Sequence, residues 1–218
     1  LYKGMKYDPR TSFEPVMYVG YLPNILVVRP GLGVSNVQEL IAKEKVKPGT
    51  LSFASSGNGA SSHLAGVLFN ELAGSRLMHV PYKGTGPALN DLLGGQVDMT
   101  FTDILTAMPY IKSDKIKALG VATARRSSAM PDIPSIAEQG VKGYDVSVFF
   151  GVVAPKGTPA DRVKLLNQGF SRALDSEKVK QTFAQQGLEV SADRSPAYLG
   201  QFIKAVVDKW AKVIKQSG

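Results

Sequence analysis

Residues 51–69 read LSFASSGNGASSHLAGVLF. Thr50–Ala54 has the length and apolar character of a short buried strand, and Ser62–Ala73 that of a helix. Between them lies a turn of small residues with glycines at 57 and 59. Strand, tight loop and helix make one βα step, and the same step repeats on both sides. Val16–Val19 and Asn24–Val28 read as strands flanking Pro23, and Asn36–Glu44 as a helix with Ser35 as N-cap and Glu39 in its first turns. Met78–Tyr82 is a strand, and Gly86–Leu93 a helix that stops at Gly94-Gly95. Gln96–Phe101 is a strand, Ile104–Ile111 a helix and Lys117–Ala122 a strand. Such alternation specifies α/β structure with parallel strands.

Ala124–Gly143 breaks the rhythm. Pro131, Pro134, Gly140 and Gly143 leave room for one short helix near Ile136–Gln139. An extended run, Tyr144–Val153, follows. Helical periodicity then returns over Ala160–Ala173, Lys178–Gln186 and Leu199–Ile214, the last an amphipathic helix carrying Trp210. The extended runs at Val16–Val28 and Tyr144–Val153 bracket the βα block, so the block is expected to form one lobe entered and left by two crossing strands. The flanking pieces are left to share a second lobe that is short of strands.

Composition narrows the function. The 218 residues are 44% apolar and 20% charged, with mean hydropathy near zero and no apolar run long enough to cross a bilayer. There is no cysteine, so disulfides and thiolate metal sites are excluded. The two histidines, His63 and His79, fall on different predicted elements, a poor basis for a metal centre. No cofactor is expected. The net charge of +8 is dispersed, without the basic stripe and aromatic platforms that nucleic acid requires. Solvated helix faces are the simpler account of it, and a diffuse positive field that draws in small anions is the alternative.

The chemistry concentrates in Ser55–His63. Glycines let the backbone approach a ligand closely, and the new helix presents unpaired N–H groups and the positive end of its dipole. Ser55, Ser56 and Ser62 add hydroxyl donors, and His63 sits in the first turn. These features suit a carboxylate held by neutral donors. A tight βα turn with Ser62 capping its helix fits the same residues. A phosphate-binding P-loop is excluded because Ala60 and Ser61 replace its Gly-Lys-Ser/Thr, and a dinucleotide fingerprint because Ser62 stands where Gly or Ala is needed. No Gly-x-Ser-x-Gly elbow occurs, and nothing in the sequence assembles Asp98, Asp103, His63 and Ser56 into a triad.

Several stretches together resemble the substrate-binding proteins of tripartite tricarboxylate transporters, the Bug family. They are FEPVMYVG, SSGNGASSHLAGVLF, HVPYKGTGPALNDLLGGQVD, KIKALGVAT, MPDIPSIAEQGVKGY and FFGVVAPKGTP. The resemblance spans nearly the whole chain in order and spacing. It implies a two-lobed, Venus-flytrap periplasmic binding protein of type II, not an enzyme. Such a protein captures a dicarboxylate, tricarboxylate, acidic amino acid or aromatic acid in the periplasm and delivers it to a membrane permease. Ligand contacts carried over by position are Ser55, Ser56, Gly57, Gly59, Ala60 and His63 on the first loop, Asp103 on a second, and Phe149 and Phe150 on the second crossing strand. Hinge core is the alternative role for the two phenylalanines. Tyr82 and Lys83 look like scaffold.

The chain departs from the family in two ways. Ala60 stands where a Ser or Thr is usual, which removes a donor worth on the order of 1 kcal/mol. The family's signal peptide and its first βα units, with their own Gly-rich loop, are not in this sequence. The expected layout is then a remnant of lobe 1 with the first crossing strand (1–28), a complete lobe 2 carrying the anion loop (29–145), and the second crossing strand with the C-terminal helical part of lobe 1 (146–218). With its first lobe incomplete, the chain is expected to cover exposed apolar surface by forming a homodimer. The competing expectation is an interaction or signalling protein that transports no ligand.

Overall fold

The computed structural model describes residues 4–216. Its first element, β1, is one strand over Phe13–Val28, where the sequence suggests two strands broken at Pro23. Proline is tolerated because of where it falls. Gly20 and Tyr21 of β1 pair with β7 (Glu189–Val190), and the residues from Asn24 onward pair with β4 (Met99–Asp103), so Pro23 lies between these two ladders.

Two compact units result, Leu22–Val148 and Leu1–Tyr21 with Phe149–Gly218. In the first, the sheet order is β3-β2-β4-β1-β5, with β2 at Ser52–Ser55, β3 at Met78–Pro81 and β5 at Lys117–Val121. β2 runs parallel to β3 and β4, whereas the C-terminal half of β1 runs antiparallel to β4 and β5. Helices α1 (Val37–Val46), α2 (Ser61–Ala73), α3 (Thr85–Leu93) and α4 (Ile104–Lys112) link the strands. One apolar layer gathers Ile25, Val27, Ala54, Leu89, Leu92 and Ile104. Another stacks Phe53, Phe69, Phe101 and Tyr144, and the Tyr144 hydroxyl donates to the Ala65 carbonyl at 2.9 Å.

Two local expectations are corrected. The α1 cap is Asn36 rather than Ser35: Asn36 accepts from the Glu39 N–H at 2.8 Å, and the Glu39 carboxylate reaches back to the Ser35 N–H at 2.7 Å. This reciprocal pairing satisfies two orphan donors at once. Ile136–Gln139 forms turns, not a helix. Its backbone is committed to β5, with Ile136 N–H donating to the Val121 carbonyl and Val121 N–H to that of Pro134.

The other unit contains β6 (Ser147–Pro155), β7, α5 (Ala160–Asp175), α6 (Glu177–Gln185) and α7 (Pro196–Gln216). Its core is Val16, Met17, Ala154 and Leu174, with Val163, Val179 and Phe183 against them. Two residues are too few to show strand alternation, so β7 is invisible in the sequence. Its close approach explains Gly20, where any side chain would collide with the Glu189 carbonyl.

Gly66 on α2 serves the same purpose in the first unit, since a methyl there would overlap the buried Phe53 ring. Gly66→Ala is predicted to destabilise the protein by about 1–3 kcal/mol through overpacking. Urea denaturation checks this, and an unchanged midpoint would contradict it.

Candidate functional site

Helices α2, α3 and α4 begin where the strands β2, β3 and β4 end. In open α/β sheets ligands bind at this carboxyl edge. The helix starts differ in how their N–H groups are satisfied. Asp103 caps α4, accepting from the Thr106 N–H at 2.8 Å and the Thr106 hydroxyl at 2.7 Å. The caps of α2 and α3 are Ala60 and Gly84, and neither offers a side-chain acceptor. The first-turn donors and dipoles of α2 and α3 are left for something else.

The Ser/Gly loop is held from beneath. Ser55 is fully buried, and its hydroxyl lies 2.6 Å from His79 Nε2 and accepts from the Gly57 N–H at 3.2 Å. The His79 ring stacks on Phe53 on one side and His63 on the other, with centroids 5.0 and 4.1 Å away. His63 Nδ1 accepts the Gly59 N–H at 3.0 Å, which places the His63 proton on Nε2. Gly57 and Gly59 have φ of +139° and +81°, so the loop path requires glycine at both. Ser62 does not cap α2. Its hydroxyl accepts the Ser56 N–H at 2.9 Å and bonds the Ser56 hydroxyl at 3.0 Å, fixing the loop's first residue. Tyr82 is scaffold, donating its N–H to the Ser55 carbonyl and its hydroxyl to Asp91 at 2.7 Å.

Above this loop is a cavity of about 160 Å³. Ser56, Ser61, Ser62 and Thr85 line it from the helix starts, and Thr100, Thr102 and Asp103 from β4. Asn24, Ala88, Phe101 and Val148 complete the wall, which among the described residues contains no Lys or Arg. Three of the sequence-derived residues, Ser56, Ser62 and Asp103, line this cavity. Ser55, Gly57, Gly59, Ala60 and His63 shape its loop. Phe149 and Phe150 belong to the other compact unit, 37% and 40% exposed, with Phe149 edge-on to Phe202 at 5.0 Å. Asn24, Ser61, Thr85, Thr100 and Thr102 escape sequence reasoning, although Thr100, Thr102 and Asn24 are polar residues inside otherwise apolar strand runs.

A serine and a histidine at 2.6 Å have the spacing of a nucleophile and its base. Ser55, however, is 0% exposed, and its hydroxyl accepts a loop N–H. The pair is part of the loop's support. Among the described residues, no group of three or more acidic or histidine side chains could hold a metal ion.

Uncapped helix starts and hydroxyls gathered around one cavity have the layout of an anion-binding site. Over residues 1–218 the chain matches the tripartite tricarboxylate transporter family receptor, TctC, and it belongs to that family. The solved periplasmic binding protein BugD is 38% identical, with a TM-score of 0.85, covering 100% of this chain and 73% of that one. An R. palustris protein solved with adipate is 34% identical, with a TM-score of 0.87 and the same coverage. Protein BugT of Bordetella pertussis is 34% identical over 218 residues, covering 100% of this chain. The chain spans between 63% and 67% of the length of the first curated relatives it matches. Its fold is the mixed α/β fold of these binding proteins.

Burial holds His63 below its ordinary value, and burial plus the neighbouring His63 brings His79 down from 6.5 to about 4. The unfolded chain therefore takes up protons below pH 6.5 that folded His79 refuses until about pH 4, and folded His63 opposes protonation in the same direction. The pair's stabilisation is complete above pH 6.5 and is lost as pH falls through this window. We predict that the denaturation midpoint drops between pH 6.5 and 4, and that His79→Gln flattens part of the drop. A His79 NMR titration centred near 6.5 would contradict this.

Proposed function

We propose that this protein captures a small carboxylate in the periplasm and passes it, chemically unchanged, to the membrane permease of a tripartite transporter. The ligand class is a di- or tricarboxylate, an acidic amino acid or an aromatic acid. One observation carries the proposal: the α2 and α3 starts lack side-chain caps and face a cavity walled by hydroxyls without a cation. Backbone donors and helix dipoles bind anions through directed hydrogen bonds, and a wall without a lysine or arginine lets the ligand leave again. The adipate-bound relative supports a carboxylate as cargo.

A thermal-shift screen of carboxylic acids against the 218-residue chain tests it, since ligand binding to the native state raises the melting temperature. At least one acid is expected to raise it in proportion to the logarithm of its concentration. Ser56→Ala is expected to weaken that acid's binding about five-fold, equivalent to about 1 kcal/mol for one hydrogen bond. No shift with any acid would favour an interaction role without transport.

A homodimer is also proposed. Leu165, Leu166 and Phe170 on α5 are 55%, 42% and 41% exposed, which leaves an apolar surface that a second copy would cover. Sedimentation of this chain should give a dimer, and a monodisperse monomer would contradict the proposal.

A further inference from the structure

The cavity makes a demand that a carboxylate alone does not meet. Asn24 Oδ1 and Thr102 Oγ1 are buried without any hydrogen-bond partner, in residues 1% and 3% exposed that line this cavity. Leaving such atoms unpaired is costly, and natural structures rarely do so without a reason. Asn24 and Asp103 are register partners across β1 and β4, so their side chains leave the sheet on the same side. The Asn24 amide nitrogen is directed to the Ser61 hydroxyl at 3.4 Å, which leaves its oxygen unfilled. Asp103 is also short of donors. The Thr106 hydroxyl lies 2.7 Å from both carboxylate oxygens but has one proton to give, so one oxygen keeps an open lone pair.

An amide oxygen and a carboxylate only accept. A second anionic group placed against them would meet like charge and leave both acceptors empty. A hydroxyl or ammonium would donate to them. We propose that Asn24 and Asp103 form a donor-reading subsite. It selects carboxylates bearing a hydroxyl or amino group over otherwise identical unsubstituted acids. This rests on the carboxylate function proposed above and adds the chemical class of the cargo. A site built to bond a ligand donor rejects the analogue lacking it, because its own buried groups then stay unpaired.

Calorimetry with three matched trios tests the subsite: succinate, malate and aspartate; glutarate, 2-hydroxyglutarate and glutamate; phenylacetate, mandelate and phenylglycine. In any trio that binds, a substituted acid should bind about ten-fold or more tighter than the unsubstituted one, as a hydrogen bond to a charged group provides. Asp103→Asn keeps a good helix cap and so should fold. It should shrink that preference, more for an amino acid than for a hydroxy acid, because it removes the charge. Equal or tighter binding of the unsubstituted acid would overturn the subsite while leaving the carboxylate function standing. An undiminished preference in Asp103→Asn would do the same. Failure of all nine acids to bind would overturn both.

Discussion

The site depends on two helix starts that the protein leaves without side-chain caps. A helix's first N–H groups need acceptors, and most helices supply one from a Ser, Thr, Asp or Asn side chain. This chain does so at α1 with Asn36 and at α4 with Asp103. At α2 and α3 it places Ala60 and Gly84 instead. Partial positive charge collects where β2 and β3 end, without a lysine or arginine in the cavity wall. Much of the surrounding construction keeps that arrangement in place.

The support is a chain of small contacts ending in the loop. Phe53 carries His79, His79 carries His63, and His63 accepts the Gly59 N–H. Ser55 ties His79 to Gly57, and Ser62 ties α2 to Ser56. Gly66 permits it by letting α2 approach the Phe53 ring. The loop is rigid because both ends of each short span are fixed, which preorganises its donors before a ligand arrives. Burial keeps both histidines neutral, so the loop is assembled with no added charge.

Much of this was legible in the sequence. The βα steps follow from apolar run lengths punctuated by glycine, and the Ser/Gly loop stands out by composition. Pro23 misled because a proline usually ends a strand. That it falls between two ladders depends on partners far away in the chain. The position of Ser62 suits either a helix cap or a ligand donor, and its hydroxyl instead accepts from Ser56, a choice fixed by loop geometry. Ala60 looked like a lost ligand donor, and its place as α2's N-cap shows what its methyl leaves free. Asn24 and Thr102 were missed because each lies in an apolar strand. Only strand register, pairing Asn24 with Asp103 and Ile25 with Thr102, brings those strand ends to one cavity. Phe149 and Phe150 were assigned through the family resemblance, and their own residues give no independent signal for a ligand.

The uncapped start of α2 is the proposed seat of the carboxylate. An amide ¹H–¹⁵N NMR titration with an acid that binds addresses those donors directly. The Ser61, Ser62 and His63 amides should move downfield together, as hydrogen bonds to an anion require, and saturate with one dissociation constant. Saturation of binding with these three amides unmoved would contradict the account.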